Sequence, residues 1–426
     1  STQNLADNAM SLAARLLDPC LLPPEKRTLL SRVADQSAAL GFPCYLVGGF
    51  ARDLLLGRPV HDLDVIVEGD AIQLGKALVK KHGGKLTPHV PFHTAIWHLP
   101  DSDETLDLIT ARSETYEFPG ALPSVTPSTI ADDLRRRDFT INAMAIRVDG
   151  DQFGELLDPL DGQADLQRGW IRVLHPRSFV DDPTRILRAA RYEGRYEFQI
   201  EPATLKWIDA EALGVLSSLS GERLRHELDL ILAEENAAAM LLRADDLGVL
   251  RVIHPALPRF DSTRASLLGQ LPSADLNLPC DRVTLGFLLW LAEVPAEDLV
   301  ALSRRLDFTS ELSEALIGAS RLKRQLPEWL SASPSAWTFA LEKFPPLSVY
   351  SVGLMTRESA LTTYLTTWRR VKPHTTGDDL KSLGLPPGPK YKEILSRLRA
   401  SWLDGEVSNE EEEKKLLEVL LRTLEG

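Results

Sequence analysis

At 426 residues, 44% hydrophobic and 26% charged, the chain is long enough for two or more domains with buried cores. Its composition excludes collagenous and low-complexity classes, and no apolar run approaches the about eighteen residues that span a bilayer. The net charge of -13 excludes a uniformly basic nucleic-acid binder, although local balance matters more than the total.

Residues 1–39 form an N-terminal segment that reads helical from residue 5, broken near Pro19, Pro23 and Pro24 and without the basic start and continuous apolar stretch of a signal peptide. Strand and helix signals then alternate. Tyr45–Val47 is a short apolar strand running into Gly48-Gly49, and Phe50–Leu56 reads as a helix closed by Gly57. Leu63–Val67 is a second strand, Ala71–His82 a helix, Thr94–Leu99 and Thr105–Ile109 two further strands, and Ile141–Val148 a fifth. Residues 113–130, with Pro119, Pro123 and Pro127, read as a loop. After about residue 160 helical patterns dominate to the end. Cys20, Cys44 and Cys280 have no metal-type spacing, which predicts a reducing, cytoplasmic setting and no zinc.

The chemistry-bearing residues begin at Leu46-Val47-Gly48-Gly49-Phe50-Ala51-Arg52-Asp53, followed by His61-Asp62-Leu63-Asp64. Two glycines between a strand and a helix let backbone N–H groups approach a phosphate. Asp62 and Asp64, two apart on a strand, project from one face, and paired carboxylates repel unless a cation bridges them. Hard oxygen donors in that pattern suit Mg²⁺, and two such ions about 4 Å apart activate a hydroxyl and neutralise a leaving phosphate. Asp107 on a later strand is a third candidate acid, and Arg112 a candidate phosphate contact; a strand-end carboxylate and a surface arginine are the plain alternatives.

Arg135-Arg136-Arg137-Asp138-Phe139-Thr140-Ile141-Asn142 places three arginines together, a repulsive arrangement unless an anion lies between them. Phosphate is the natural anion, read by the guanidinium fork. In Asp181-Asp182-Pro183-Thr184-Arg185-Ile186-Leu187-Arg188, Asp182 caps a helix that Pro183 opens. Asp182 and Arg185, three apart, would share a face. They form either an ion pair at a helix start or a base-reading edge, in which the carboxylate accepts from the exocyclic amine of C or A. Uracil and guanine present an oxygen there and would leave buried groups unpaired.

Taken together, Leu46–Asp64, Arg135–Ala145, Asp158–Gly162, Asp181–Arg191 and Ser220–Leu232 resemble, in order and spacing, the class II tRNA nucleotidyltransferases, the bacterial CCA-adding and poly(A) polymerase family. The resemblance covers residues 40–260. It implies an α+β fold: a polymerase-β-type head with a mixed five-stranded sheet (40–160), then an all-helical neck (161–258), body (259–372) and tail (373–426). By this resemblance Asp62 and Asp64 hold Mg²⁺, and Gly48, Gly49 and Arg52 lie along the triphosphate. Arg136, Asp138 and Asn142 contact sugar and phosphates, Asp158 supports the junction of head and neck, and Asp182, Arg185 and Arg188 read the base. Glu222 and Arg225 sit on a neck helix, where surface ion pairing is the plain reading. Two departures stand out. Asp181-Asp182 replaces the family's usual Glu-Asp, and His93 stands where a glycine is expected before Thr94.

The implied reaction is template-independent attack of the tRNA 3′-hydroxyl on CTP or ATP, with pyrophosphate released and no membrane partner. Full CCA addition, CC-only or A-only addition and poly(A) synthesis share these motifs, and oligomeric state is left open. The rivals of other classes are a tRNA-binding protein without catalysis and a nucleotidyltransferase acting on small molecules. Two basic stretches, with seven arginines over 168–195 and eight basic residues over 369–399, are either RNA contacts or solvated helix faces. The second half shows no His-Asp metal motif, which predicts no added phosphatase.

Overall fold

Cys44–Val47 (β1) follows helices at Leu12–Leu17 (α1) and Pro24–Leu40 (α2), and all four of its residues are buried, as a central strand demands. The helix Gly49–Leu55 (α3) leads to Asp64–Val67 (β2), which is exposed at Asp64 and buried at Val65, Ile66 and Val67. The helix Ala71–His82 (α4) is capped by the Asp70 carboxylate, which accepts from the Ile72 and Gln73 N–H groups, and packs on α2 and the sheet. Strands Lys85–His89 (β3), Thr94–His98 (β4) and Thr105–Thr110 (β5) follow. This computed structural model describes residues 11–60, 63–100 and 102–425, so the start of the expected 5–39 helix lies outside the described residues.

Next come a hairpin of Arg112–Thr115 (β6) and Ser124–Pro127 (β7), helix Ile130–Arg135 (α5), and strands Ala145–Arg147 (β8) and Leu156–Leu157 (β9). The sheet order is β3-β4-β5-β2-β1-β8-β9, seven strands where the sequence pattern gives five. The two extra strands are edges. β3 contains Pro88 and is exposed along most of its length, so it carries no apolar alternation, and β9 has two residues. Residues 113–127 are a hairpin rather than a loop. The strand expected over 141–148 is shorter, because Thr140–Asn142 forms a 3-10 turn.

Within this sheet β2 and β5 pair in parallel and the other neighbours antiparallel. Its core gathers Tyr45, Val47, Ile66, Ala111, Ile130, Leu134, Ala143 and Ala145. His93 adopts φ 52°, ψ 43°, a left-handed conformation. That explains the glycine expected there, since any Cβ costs about 1–2 kcal/mol in this region.

The helices Gly162–Arg168 (α6), Ser178–Asp181 (α7) and Thr184–Tyr196 (α8) continue the first compact unit, with a short parallel pair, Trp170–Ile171 (β10) and Gln199–Ile200 (β11). Asp158 accepts from the N–H groups of Gly162 (2.7 Å) and Gln163 (2.8 Å), fixing the start of α6. A Cβ at Gly162 would lie 2.2 Å from the Thr140 carbonyl oxygen, so only glycine permits that approach. This unit runs to Leu219 and includes 247–252.

The second unit, Ser220–Asp246 with Ile253 onward, is helical. Its core includes Leu285, Phe287, Leu288, Leu289 and Trp290, whose indole donates to the Pro258 carbonyl at 2.8 Å. Near the C-terminus Leu380, Ile394, Leu398 and Leu417 form a separate apolar cluster. Glu413 is buried beside it and accepts from the His374 and Thr375 N–H groups and the Trp402 indole. Among the described residues no helix is long and apolar enough to cross a membrane, and the three cysteines are free.

Candidate active site

The register of β2 and β5 pairs Asp64 with Asp107. Residues paired across adjacent strands project from the same face, and both are exposed. Asp62 lies outside the described residues. Among the described residues no group of three acidic, histidine or cysteine side chains stands ready for a metal. Asp64 and Asp107 are the acids that this register brings level. They fit an oxygen-preferring cation such as Mg²⁺, which takes one or two carboxylates and completes its shell with water and phosphate.

Val47 at the end of β1 lies one step from this pair, because Leu46 pairs with Val65. The chain then turns at Gly48 (φ 63°, ψ −124°) into α3. The two glycines make room for guanidinium groups. A Cβ at Gly48 would lie 2.7 Å from Arg137 Nη1, and one at Gly49 3.2 Å from Arg52 Nη2. Arg137, which sequence reasoning passed over in favour of Arg136, is thus the arginine of the triplet that reaches the glycine turn.

The anion among the arginines proves to be part of the chain. Asp133 is wholly buried, accepting from Arg136 through both carboxylate oxygens (3.2–3.3 Å), from Arg137 Nη2 (2.9 Å) and from the Arg112 N–H (3.1 Å). Glu114 Oε1 accepts from Arg136 Nη1 at 2.9 Å and lies 3.6 Å from Arg112 Nη2. Burial, and then the neighbouring Arg136, lower the Arg112 pKa. Three guanidinium groups share two carboxylates, leaving an excess positive charge beside the acid pair. Arg135 points away, 63% exposed and paired with Asp132. The signal for Asp133 was in the sequence: Asp-x-x-Arg-Arg on a helix places both arginines over it at i+3 and i+4.

Arg52 is not turned to solvent. It is 4% exposed, ion-paired with Asp53 at 2.9 Å, donating to Asn142 Oδ1 at 2.5 Å, and stacked 4.6 Å from the Tyr196 ring centroid. Asn142 donates in turn to Asp138 Oδ1 (2.9 Å), and Arg188 of α8 meets Asp138 Oδ2 at 2.6 Å. Burial alone would raise the Asp138 pKa. Arg188, Asn142 and Arg185 outweigh it and hold the carboxyl below its usual range.

Asp182 ends α7, and its Oδ1 accepts from the Thr184 hydroxyl (2.6 Å) and N–H (3.2 Å); α8 starts one residue later than expected, at Thr184, with Pro183 rather than Asp182 at its cap position. Arg185 is 5% exposed and donates to Ser178 Oγ (2.7 Å), the Arg136 carbonyl (3.0 Å) and the Tyr116 hydroxyl (3.4 Å). The hairpin joins the same cluster: Gly120 N–H donates to the Asp181 carbonyl, and a Cβ on Gly120 would lie 2.8 Å from Val215. The first unit thus brings together Gly48, Gly49, Arg52, Asp138, Asn142, Arg188, Arg136, Arg112 and Arg185 through one web of contacts. Asp182 borders it, and Asp64 and Asp107 are paired across the neighbouring strands β2 and β5.

Much of the basic charge further along is used internally. Arg172 pairs with Asp165, Arg177 with Glu211, Arg397 with Glu406 and Arg399 with Glu342. On the neck helix Gly221–Leu232, Arg225 lies 4.0 Å from Asp229, the ion pairing expected of that helix. In the second unit a groove of about 910 Å³ is lined by Lys343, Lys372, Lys392 and Arg399, opposed by Glu342.

Residues 44–172 match the poly A polymerase head domain model, and residues 197–260 match a model described as a probable RNA and SrmB-binding site of polymerase A. The chain is 37% identical to an A-adding tRNA nucleotidyltransferase of Geobacter sulfurreducens, over 91% of this chain but only 46% of that longer protein. It is 35% identical to the A-adding tRNA nucleotidyltransferase of Halalkalibacterium halodurans, over 90% of each. A CC-adding tRNA nucleotidyltransferase of Deinococcus radiodurans is 32% identical over 94% of this chain and 95% of that one. Among solved structures, a CCA-adding enzyme in apo form II superposes with a TM-score of 0.81 at 32% identity, covering 96% of this chain and 98% of that one.

Proposed function

The chain belongs to the tRNA nucleotidyltransferase family, and on that premise we propose that it extends the 3′ end of tRNA without a nucleic-acid template. The observation that carries the reading is the register placing Asp64 beside Asp107, next to a glycine turn flanked by Arg137 and Arg52. Asp64 and Asp107, with Asp62 two residues before Asp64, would hold Mg²⁺, which when bound lowers the pKa of the attacking hydroxyl and neutralises the leaving pyrophosphate.

The protein's own part is positioning and charge. Backbone N–H groups at the glycine turn and the unbalanced guanidinium charge of Arg112, Arg136 and Arg137 orient the triphosphate. Asp182, fixed by Thr184, accepts from the exocyclic amine of the base, and Arg185 and Arg188 border the same edge. Donation from Arg185 to a base would exchange one of its two longest contacts, that to Tyr116, for one to the nucleotide. In the second unit, the lysines of the 910 Å³ groove are suited to RNA phosphates. A tRNA substrate also fits the cytoplasmic setting expected from the cysteines.

For the finer specificity, the likeness to A-adding relatives, one of them matched over 90% of both chains, supports transfer of AMP from ATP to tRNA already ending in CC. The test is incubation of the protein and Mg²⁺ with tRNAs ending before the CCA, after CC and after CCA, each with CTP, ATP or both. Single-nucleotide growth of the CC-ended tRNA with ATP alone is the expected result. Growth of the shortest tRNA to full CCA would replace the A-adding reading with complete CCA synthesis, and growth by CC alone would make it a CC-adding enzyme. No growth of any tRNA would refute nucleotidyl transfer.

A further inference from the structure

Side chains beside the glycine turn form one continuous line of three hydrogen bonds closed by an ion pair. Asp53 accepts from Arg52 Nε (2.9 Å), Arg52 Nη1 donates to Asn142 Oδ1 (2.5 Å), Asn142 Nδ2 donates to Asp138 Oδ1 (2.9 Å), and Asp138 Oδ2 meets Arg188 Nη2 (2.6 Å). Arg52, Asn142 and Asp138 are only 4%, 5% and 6% exposed. Charge alternates along the line, negative, positive, neutral, negative, positive, so no buried charge lacks an opposite or dipolar neighbour. Asn142 is the joint. Its neighbours fix its polarity, because a guanidinium can only donate and a carboxylate at neutral pH can only accept. Both ends of the amide are therefore used inside the protein.

We infer that Asn142 and Arg52 are positioning residues, tying the glycine turn on α3 to Arg188 on α8 so that triphosphate and base sites keep a fixed separation. This inference rests on the nucleotidyl-transfer reading and assigns the two residues differently from a direct nucleotide contact. Sequence distance hid it: Arg52, Asn142 and Arg188 come from three separate parts of the chain, and only the fold brings them into line. Arg52 is further held from the α8 side by the rings of Tyr196 and Tyr192, at 4.6 and 5.6 Å, so the link has an aromatic wall as well as a polar core.

The test uses the full chain with tRNA. Asn142→Leu keeps the volume and removes both hydrogen bonds. It should lower kcat/KM for the nucleotide by about 10- to 100-fold, as misplacement of a reacting group does, with the KM for tRNA unchanged. Arg52→Met should give a similar loss, and the double variant should lose no more than about twofold beyond the worse single one, because both break the same chain. Multiplying losses would overturn the inference in favour of two independent nucleotide contacts.

Asn142→Asp supplies the second arm. Its new carboxyl still accepts from Arg52 but faces Asp138, and a protonated carboxyl can donate where the amide did. Two carboxylates sharing a site raise one pKa, so activity relative to wild type should climb as the buffer is taken from about pH 8.5 to about pH 6. The other charged groups facing the pair, Arg52, Asp53, Arg185 and Arg188, are common to variant and wild type and cancel in the ratio. A flat ratio overturns the inference. Melting curves establish folding of each variant, and if Asn142→Leu does not fold, the pH ratio decides. An inactive wild type would overturn the nucleotidyl-transfer reading and this inference with it.

Discussion

Replacing Asp133 by Asn removes the carboxylate that three basic residues share. Its two oxygens accept from Arg136, Arg137 and the backbone of Arg112, and the residue has no solvent exposure. Breaking a buried ion pair from one side costs about 3–5 kcal/mol, since the partners stay behind uncompensated. Here Arg136 and Arg137 are 17% exposed and Arg112 22%, so each can turn partly to water, and the lower end applies: about 3 kcal/mol. With a urea m-value of about 2 kcal/mol per molar, the unfolding midpoint of the first unit should fall by about 1.5 M. Circular dichroism follows the transition. The same change should raise the KM for nucleotide, because Arg137 loses its hold beside Gly48. Asp132→Asn, which touches only the exposed pair with Arg135 and the Ser128 hydroxyl, should leave the midpoint close to wild type. A shift for Asp133→Asn under about 0.3 M would show that the arginines do not depend on this carboxylate, and the account of the cluster would be wrong.

Four further outcomes are expected. Asp64→Asn and Asp107→Asn should each lower turnover by about 10³-fold, the loss of several kcal/mol of charge stabilisation, while melting stays near wild type; retained turnover in both would remove the acid pair from the mechanism. Gly48→Ala sets a Cβ 2.7 Å from Arg137 and strains a φ of 63°, so nucleotide KM should rise together with a loss of stability, and an unaltered KM would detach Arg137 from the triphosphate site. His93→Gly relieves a left-handed residue and should gain up to about 1 kcal/mol in urea unfolding, with lower stability as the contrary result. Because the folded pKa of Asp138 is depressed, its ion pair stabilises fully above the unfolded carboxyl value of 3.8 and is lost as pH falls through the folded value. Acid titration of Asp138→Asn should therefore show a shallower decline than wild type below about pH 4, and parallel curves would contradict the assignment.

The central strands were legible because Cys44–Val47 and Val65–Val67 are short apolar runs closed by turn residues. β3 escaped notice because an exposed edge strand bearing Pro88 has no alternating pattern to read. The hairpin over 112–127 was hidden by its prolines, although Pro127 itself sits on an edge where no N–H is required. At the site, spacing along the chain disclosed residue types better than partners. Within the arginine triplet, Arg136 and Arg137 close on Asp133, three and four residues before them, while Arg135 turns to Asp132. Arg185 was recognisable as the residue paired with Asp182 in the motif. Of its contacts to Ser178, the Arg136 carbonyl and Tyr116, the last depends on a hairpin that no local pattern predicted.

The parallel pairing of β2 with β5 has a consequence for how this site is made and how it can vary. Parallel neighbours cannot be joined by a tight turn, so α4, β3 and β4 intervene between Asp64 and Asp107. During synthesis the first acid emerges well before its companion, and the two come level only when β5 pairs with β2. What must be preserved is the ladder alignment, since a slip of one rung would turn Asp107 to the opposite face of the sheet. The turns that join α4, β3 and β4 are under no such constraint. Descendants of this chain are thus free to lengthen or trim those turns, provided the ladder still brings the two aspartates level.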